Sequence, residues 1–398
     1  MQNTLRITLV AAAIAAVCAT PAMAADDLQA LKAQMETMQK RIAELETKQS
    51  AAPVAKAEKS AKGDKSDKGD SKEEGWIANS KAMNLYGRVG LSVDNKSGDI
   101  TNEGTTLNSN ASLLGVKGTL PSGYGETDVI YQMELEYDTT NSTTDSTGKQ
   151  RDVLLREAYA GVKSDKMGTL RAGRLSTGYK GSLTTIDPWL DTAMQSRNGG
   201  RQGSSELHSN YFNNTLMYET PKLGSGVKAN VWYATNTDNT QLNNAGSLVN
   251  FKGGSATGLG VKYKNKAVFL AADMIDMNAD NVSSGVTNGS GWQVAAQYKP
   301  DKVGVAALYE DVDELGFGKN TYVNATYDAT PKTTLVAAYG KNEGRVPNGN
   351  KDWDNWSIGV QQKIHKKSQL FAAYNSRKDS ADLEENTITI GTKINFGD

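Results

Sequence analysis

The stretch Thr127-Asp-Val-Ile-Tyr-Gln-Met-Glu-Leu-Glu-Tyr137 decides the fold. Val129, Tyr131, Met133, Leu135 and Tyr137 fall on one side of an extended chain. Asp128, Gln132, Glu134 and Glu136 fall on the other. Successive side chains of a strand point to opposite faces, so this period of two is a strand with one apolar face. Residues 84–93 repeat the pattern, with Leu85, Gly87, Val89, Leu91 and Val93 opposing Tyr86, Arg88, Gly90 and Ser92. So does the end of the chain, where Ile388, Ile390, Thr392, Ile394 and Phe396 oppose Thr389, Gly391, Lys393 and Asn395.

Sixteen such segments begin near positions 84, 112, 127, 153, 169, 213, 227, 257, 267, 291, 303, 321, 333, 356, 369 and 387. Their connections alternate in length. Turns at Pro121, 163–168, 221–226, 265–266, 300–302, 330–332 and 365–368 are short. Polar connections such as 138–152, 235–256, 275–290 and 340–355 are long. A soluble sandwich does not require that alternation. An outer-membrane barrel does, with short periplasmic turns and long extracellular loops. Pro121, Pro221, Pro300 and Pro331 sit at short turns and leave the hydrogen-bond ladders intact. Tyrosines sort to both ends of the apolar face: Tyr218, Tyr263, Tyr298 and Tyr327 before short turns, Tyr137, Tyr233, Tyr309, Tyr339 and Tyr374 before long loops. Two aromatic bands are the signature of two membrane interfaces. The expected fold class is all-β, a sixteen-stranded antiparallel transmembrane β-barrel preceded by a short α-helical coiled coil.

Composition agrees once its averaging is understood. The 398 residues carry 44 Lys+Arg against 45 Asp+Glu, which excludes a strongly basic nucleic-acid surface. A mean hydropathy of -0.54 suits a water-soluble chain, yet alternating strands average to the same value. Two His and one Cys exclude clustered zinc or haem-attachment motifs, so no metal ligand and no cofactor is expected. Asp276-Met-Asn278-Ala-Asp280 resembles the start of a calcium loop. Asn281 and Thr287 stand where that loop needs Gly and Glu, so an exposed polar loop is the better reading.

The first 24 residues read as a secretory signal peptide. Arg6 is followed by an apolar run and by Ala22-Met-Ala24. A lipoprotein signal at Cys18 is disfavoured by Val17 at the cleavage position. Removal of this leader takes away the only Cys and makes the net charge one unit more negative. In residues 25–49, Leu28, Leu31, Met35, Met38, Ile42 and Leu45 recur at alternating spacings of three and four, the seam of a coiled coil. A helix packed on a core is the rival reading, but the stripe is narrow. Two and three strands both remain open. Residues 50–83 begin as a charged, small-residue tract with too little apolar surface to fold, a tether. The barrel then occupies 84–398. An even strand count puts both its ends on the short-turn side, so the coiled coil lies in the periplasm.

In Leu155-Arg-Glu157-Ala-Tyr159, strict alternation points Glu157 and Tyr159 outward. A charge facing lipid costs up to about 2–4 kcal/mol. Glu157 is therefore expected against a neighbouring protomer.

The longest connection, 175–211, is the functional candidate, because structureless loops of this length are seldom idle. Tyr86-Gly-Arg88-Val, Leu114-Gly-Val-Lys117-Gly, Arg156-Glu-Ala-Tyr-Ala-Gly161-Val-Lys and Gly168-Thr-Leu-Arg171-Ala-Gly-Arg174-Leu together resemble the general diffusion porins of Gram-negative outer membranes. The resemblance is strongest over the first six strands and extends by strand number and spacing over about 84–396. It implies a homotrimer of sixteen-stranded barrels whose third loop, here 175–211, folds into the lumen and narrows it. It implies a water-filled channel for passive diffusion of ions and small hydrophilic solutes, with no catalytic residues. The chain departs from the family in its final Gly397-Asp398 and in its N-terminal coiled coil.

The residues agree with that picture. Arg88, Lys117, Arg156 and Arg171 lie on the polar faces of early strands and Arg174 at a strand end. The loop contributes Asp187, Asp191 and Glu206, with Arg197, Arg201 and His208. A basic wall opposite an acidic loop sets a transverse field across a pore. The same charges would also pin the loop to the wall. Two unit charges ~8 Å apart in water interact by ~0.5 kcal/mol, so weak charge selectivity is expected, leaning toward anions. The expected partners are outer-membrane lipid and lipopolysaccharide, small solutes, and a cell-wall or periplasmic partner for the coiled coil, with no nucleic acid. The alternative function is structural: an outer-membrane protein tethering the membrane to the cell wall or a periplasmic partner.

Overall fold

A computed structural model describes residues 81–100, 103–140, 153–197, 202–235, 251–252, 254–278, 281–282, 288–345 and 351–397. The signal peptide, the coiled-coil seam, nearly all of the tether and Arg201 lie outside the described residues.

The period-two segments form sixteen wall strands. They are β1 (Asn84–Gly98), β2 (in two pieces, Gly104–Ser109 and Leu113–Pro121), β3 (Thr127–Tyr137), β4 (Val153–Ser164), β5 (Gly168–Leu175), β6 (Phe212–Glu219), β7 (Val227–Ala234) and β8 (Ser255–Lys264). They continue as β9 (Val268–Asn278), β10 (Gly289–Tyr298), β11 (Val303–Val312), β12 (Gly318–Asp328), β13 (Thr333–Arg345), β14 (Lys351–His365), β15 (Ser368–Asp379) and β16 (Glu384–Phe396). Each pairs antiparallel with the next. β1 also pairs with β16, from Gly87 opposite Phe396 to Gly98 opposite Glu385, and this closes the barrel. A closed barrel leaves no sheet edge exposed in hydrocarbon, where an unpaired backbone group costs several kcal/mol.

The distribution of side chains is inside-out relative to a soluble protein. Outward residues are apolar and bare, such as Val294 at 45%, Ile358 at 56% and Ile390 at 64% exposure, while their inward neighbours Gln293, Ser357 and Thr389 are buried. No described helix is long and apolar enough to cross a membrane; the strands are the crossing elements. Outward rings gather at the two ends. Trp292 packs on Tyr309 and Trp356 on Tyr374 near the long loops, with centroids 5.5 and 5.2 Å apart. Tyr218, Tyr298 and Tyr327 ring the short-turn end.

Two irregularities re-aim side chains. β2 breaks at Ala111, whose φ of 50° is left-handed. Its first piece pairs with Leu91–Lys96 and its second with Asn84–Arg88 of β1. In β4 the register slips, because Glu134 of β3 faces Glu157 while Leu135 faces Leu155. Arg156 is the extra residue of this bulge, and past it the faces exchange. Glu157 and Tyr159 therefore turn inward, contrary to the expectation from strict alternation. Glu157 accepts from Gln132 Nε2 at 2.7 Å and from the Ser176 N–H at 2.9 Å. Tyr159 donates to Gln132 Oε1 at 3.2 Å. No protomer contact is needed to explain either residue.

Candidate functional site

Between β5 and β6 the chain enters the lumen. It forms α1 (Gly178–Ile186), a series of turns, and a 3-10 turn at Glu206–Ser209. Leu183, Ile186, Trp189 and Met194 pack against inward Phe269, Ala271, Ala295, Ala306, Leu308 and Val336 of the wall. The inner faces of β9 to β13 are thus apolar and small where they seat the loop. A water-filled lumen alone does not call for that. Close approach is also visible at Gly203 (φ 102°) and Gly340. A Cβ on Gly340 would lie 2.3 Å from the Gln202 carbonyl oxygen, so only glycine lets loop backbone rest on wall backbone there.

Polar contacts fix the loop at three places. The first is Glu310 on β11, which is fully buried. It accepts from Tyr179 Oη at 2.6 Å, the Ser205 N–H at 2.9 Å, Ser205 Oγ at 2.7 Å and Asn320 Nδ2 at 3.0 Å. His208 Nε2 lies 3.2 Å away, its ring stacked on Tyr179. Donors from both limbs of the loop thus converge on one carboxylate. The second is Asp187, buried at the end of α1. Its oxygens take the N–H groups of Trp189 and Ser196, each at 2.9 Å, and Tyr322 Oη at 3.0 Å. Burial outweighs these donors and pushes its carboxyl above the usual carboxylate range.

The third is Asp191. Its Oδ2 pairs with Arg88 Nη1 at 2.6 Å and its Oδ1 with Arg197 Nη2 at 3.1 Å. Burial would raise its pKa, but Arg88 and Arg197 more than offset that and hold the carboxyl well below its ordinary value. Arg88 also donates through Nε and Nη2 to the Ala111 carbonyl, at 3.0 and 2.8 Å. One guanidinium therefore ties together the kink of β2, strand β1 and the loop tip. Beside it, Lys393 of β16 donates to the Leu190 carbonyl at 2.7 Å.

The other basic residues form a cluster on β2 to β5. Arg156 pairs with Glu134 at 2.6 Å and Glu136 at 2.5 Å, both on β3. Arg156, Arg174 and Lys180 surround the Tyr211 ring at 5.2, 5.7 and 3.4 Å, a cation–π cage. Arg174 donates to the Leu155 carbonyl at 3.0 Å and to Asn213 at 2.6 Å. Arg171 lies over Tyr159 at 5.4 Å, and Lys117 over Tyr86 at 4.6 Å. Burial, reinforced by Arg197 and Arg156, holds the Lys180 ammonium well below its ordinary pKa.

Of the charges singled out in the sequence, Arg88 and Asp191 meet directly. Arg156, Arg171 and Arg174 share one wall, and Arg156 finds its carboxylates on that wall rather than on the loop. Asp187 turns into the loop's own backbone, and Glu206 is buried in the 3-10 turn. Glu310, Tyr211 and Lys180 escaped the sequence reading. Glu310 was legible only as a carboxylate on an inward strand position; which donors meet it depends on the loop's path. Among the described residues no three His, Cys, Asp or Glu side chains gather as metal ligands.

A closed barrel with a polar lumen, a lipid-facing apolar wall and an inward-folded loop defines the class of outer-membrane channel proteins. A model of the Gram-negative porin family matches residues 10–382, and the chain belongs to that family. Solved structures share the fold. The anion-selective porin from Comamonas acidovorans aligns with a TM-score of 0.61 at 18% identity, over 79% of this chain and 99% of its own. The outer-membrane channel DcaP of Acinetobacter baumannii gives 0.57 at 18%, over 79% and 97%. Salmonella typhi OmpF, in complex with daunomycin, gives 0.56 at 16%, over 78% and 97%. A comparison with curated protein sequences gives no match. The protein is an outer-membrane diffusion channel and not an enzyme.

Proposed function

We propose that this channel passes small hydrophilic anions modestly better than cations. The observation that carries the reading is the company kept by its basic residues. Arg171 and Arg174 bind rings, a carbonyl and an amide, and among the described residues neither forms an ion pair with a carboxylate. Asp191, by contrast, is matched by two arginines. The fold shared with a porin described as anion-selective is in keeping with this reading. Screening at physiological salt keeps the bias small, with anions favoured about tenfold at most.

The test is the reversal potential of the refolded protein in a planar bilayer under a KCl gradient. The expected sign is that of chloride preference, and Arg171→Ser with Arg174→Ser should move it toward cations. A wild-type potential on the potassium side, or one that ignores both substitutions, overturns the reading.

The assembly is proposed as a homotrimer in contact with outer-membrane lipid and lipopolysaccharide. Residues 1–24 are proposed as its signal peptide, and the heptads of residues 25–49 as a periplasmic coiled coil. That coiled coil clamps the trimer; a cell-wall or periplasmic partner is the second reading for it. Deleting 25–75 separates the two. Loss of the trimer's heat resistance is expected, whereas unchanged resistance with altered envelope spacing favours the tether.

A further inference from the structure

The lysines of the short turns are distributed unevenly around the barrel. At the turns joining β2 to β7, Lys166 pairs with Glu126 at 2.7 Å and Lys228 with Glu219 at 2.7 Å. Lys163 has Asp165 in its own turn and Asp128 opposite it on β3, so with Lys222 these turns carry four lysines against four carboxylates. At the turns joining β8 to β13 the balance tips, with Lys264, Lys266, Lys299, Lys302 and Lys332 against only Asp301 and Asp328. Lys264, Lys266, Lys302 and Lys332 are exposed, and among the described residues they make no ion pair; only Lys299 is paired, to Asp328 at 2.8 Å. The next turn adds Lys363, Lys366 and Lys367 with no carboxylate at all.

On the lipid-facing wall directly above this arc lies an apolar groove of about 710 Å³. Ala296, Ala307, Ala325 and Ala337 form its floor, and Tyr298 and Tyr339 stand at its ends. The floor alanines are neighbours across the strands, with Ala296 opposite Ala307 and Ala325 opposite Ala337. The groove begins at the turns themselves. Tyr298 is adjacent in sequence to Lys299, Val268 lies two residues from Lys266, and Val305 three residues from Lys302. Apolar cleft and cationic rim are therefore continuous, at the depth where aromatic side chains mark a membrane interface.

We propose that this face is a docking site for an anionic phospholipid of the leaflet on the short-turn side. Its phosphate sits among Lys266, Lys302 and Lys332, and one acyl chain lies along the alanine floor. Apolar surface alone would accept any lipid chain. The surplus of lysines selects the headgroup by charge, and the charge-balanced turns of the opposite arc do not compete. A site of this kind orients and immobilises lipid on one flank of each barrel only.

The full-length protein, refolded in a neutral detergent, is titrated with dioleoylphosphatidylglycerol or dioleoylphosphatidylcholine and read by native mass spectrometry. Phosphatidylglycerol should bind about tenfold more tightly, the scale of one or two lysine contacts with an anionic headgroup. Lys266→Gln, Lys302→Gln and Lys332→Gln together should abolish that preference, while Lys163→Gln with Lys222→Gln leaves it intact. Ala325→Phe, which fills the groove from outside, should weaken both lipids. Bilayer conductance measured on every variant shows that the barrel is folded, and it also separates failure of this proposal from failure of the channel reading. Equal binding of the two lipids, or a triple variant that keeps the preference, overturns the proposal. So does lysine-dependent binding of soluble cell-wall fragments without a lipid preference, which assigns the arc to that polymer. A change of oligomeric state in Ala325→Phe with lipid binding unaltered assigns the groove to a second copy.

Discussion

Replacing Glu310 by Ala tests whether one carboxylate sets the pore aperture. The side chain is fully buried and meets donors from Tyr179, Ser205 and Asn320 at 2.6 to 3.0 Å, with His208 Nε2 3.2 Å away. Hydrogen bonds to a charged group contribute about 1.5–3 kcal/mol each, but bonds sharing one acceptor do not add. Removing a buried charged partner costs about 3–5 kcal/mol, the better guide to the whole cluster. At about 1.4 kcal/mol per decade, the undocked fraction of the loop rises by roughly two to three and a half orders of magnitude. Single-channel recording in KCl is the assay. Glu310→Ala should give excess open-channel noise and a larger mean conductance. Glu310→Gln, which keeps the shape and one acceptor, should fall between it and wild type. Channels of Glu310→Ala with wild-type conductance and noise would refute the reasoning, because the loop would then be held by its apolar contacts alone.

Gly340→Ala drives a methyl group into the Gln202 carbonyl and should likewise raise the noise, with a stability loss of about 1–3 kcal/mol by thermal unfolding. Arg156→Ser exposes Glu134 and Glu136 and should shift the reversal potential toward cations further than Arg174→Ser does, since Arg174 makes no ion pair among the described residues. Asp191 has a carboxyl depressed in the folded protein, so its contribution is complete above the unfolded value of about 3.9 and is lost only as pH falls through the lower folded value. The stability gap between wild type and Asp191→Asn should be flat from pH 8 to about 4 and close below that; a gap that closes near neutrality contradicts the Arg88 and Arg197 pairing. Ile358→Arg, at mid-strand on the lipid face, should cost about 2–4 kcal/mol in lipid-based unfolding, whereas a loss of only a few tenths would mean that this face is not in hydrocarbon.

The barrel was legible because its determinant is local. Alternation within a strand and the length of each connection are both read along the chain, and β14 or β16 could be placed from its own residues. The exchange of faces in β4 was not legible. It depends on Arg156 being squeezed out of register opposite Glu134, and the one mark in the string, the charge of Glu157 on the apolar face, fits a protomer contact as well as a bulge. The loop divides in the same way. Its length and charge showed that it matters, but contacts such as Tyr179 with Glu310 join residues 131 positions apart. The inner alanines of β9 to β13 carried the missing signal, since small apolar residues on a water-facing side call for something to cover them. Arg88 was found for its charge, whereas its geometry spends all three nitrogens on Ala111 and Asp191.

The contacts at the loop tip straddle a particular place. Arg88 belongs to the first strand and Lys393 to the last, and Gly90 sits opposite Lys393 across the line where the barrel closes. Leu190 and Asp191 bind one side chain from each bank of that line. An unclosed sheet has its two banks apart, so the tip cannot hold both. The tip contacts are therefore complete only when the first and last strands meet, whereas the anchors at Glu310 and Tyr322 do not depend on that seam. Seam and loop tip thus share the same two side chains, Arg88 and Lys393.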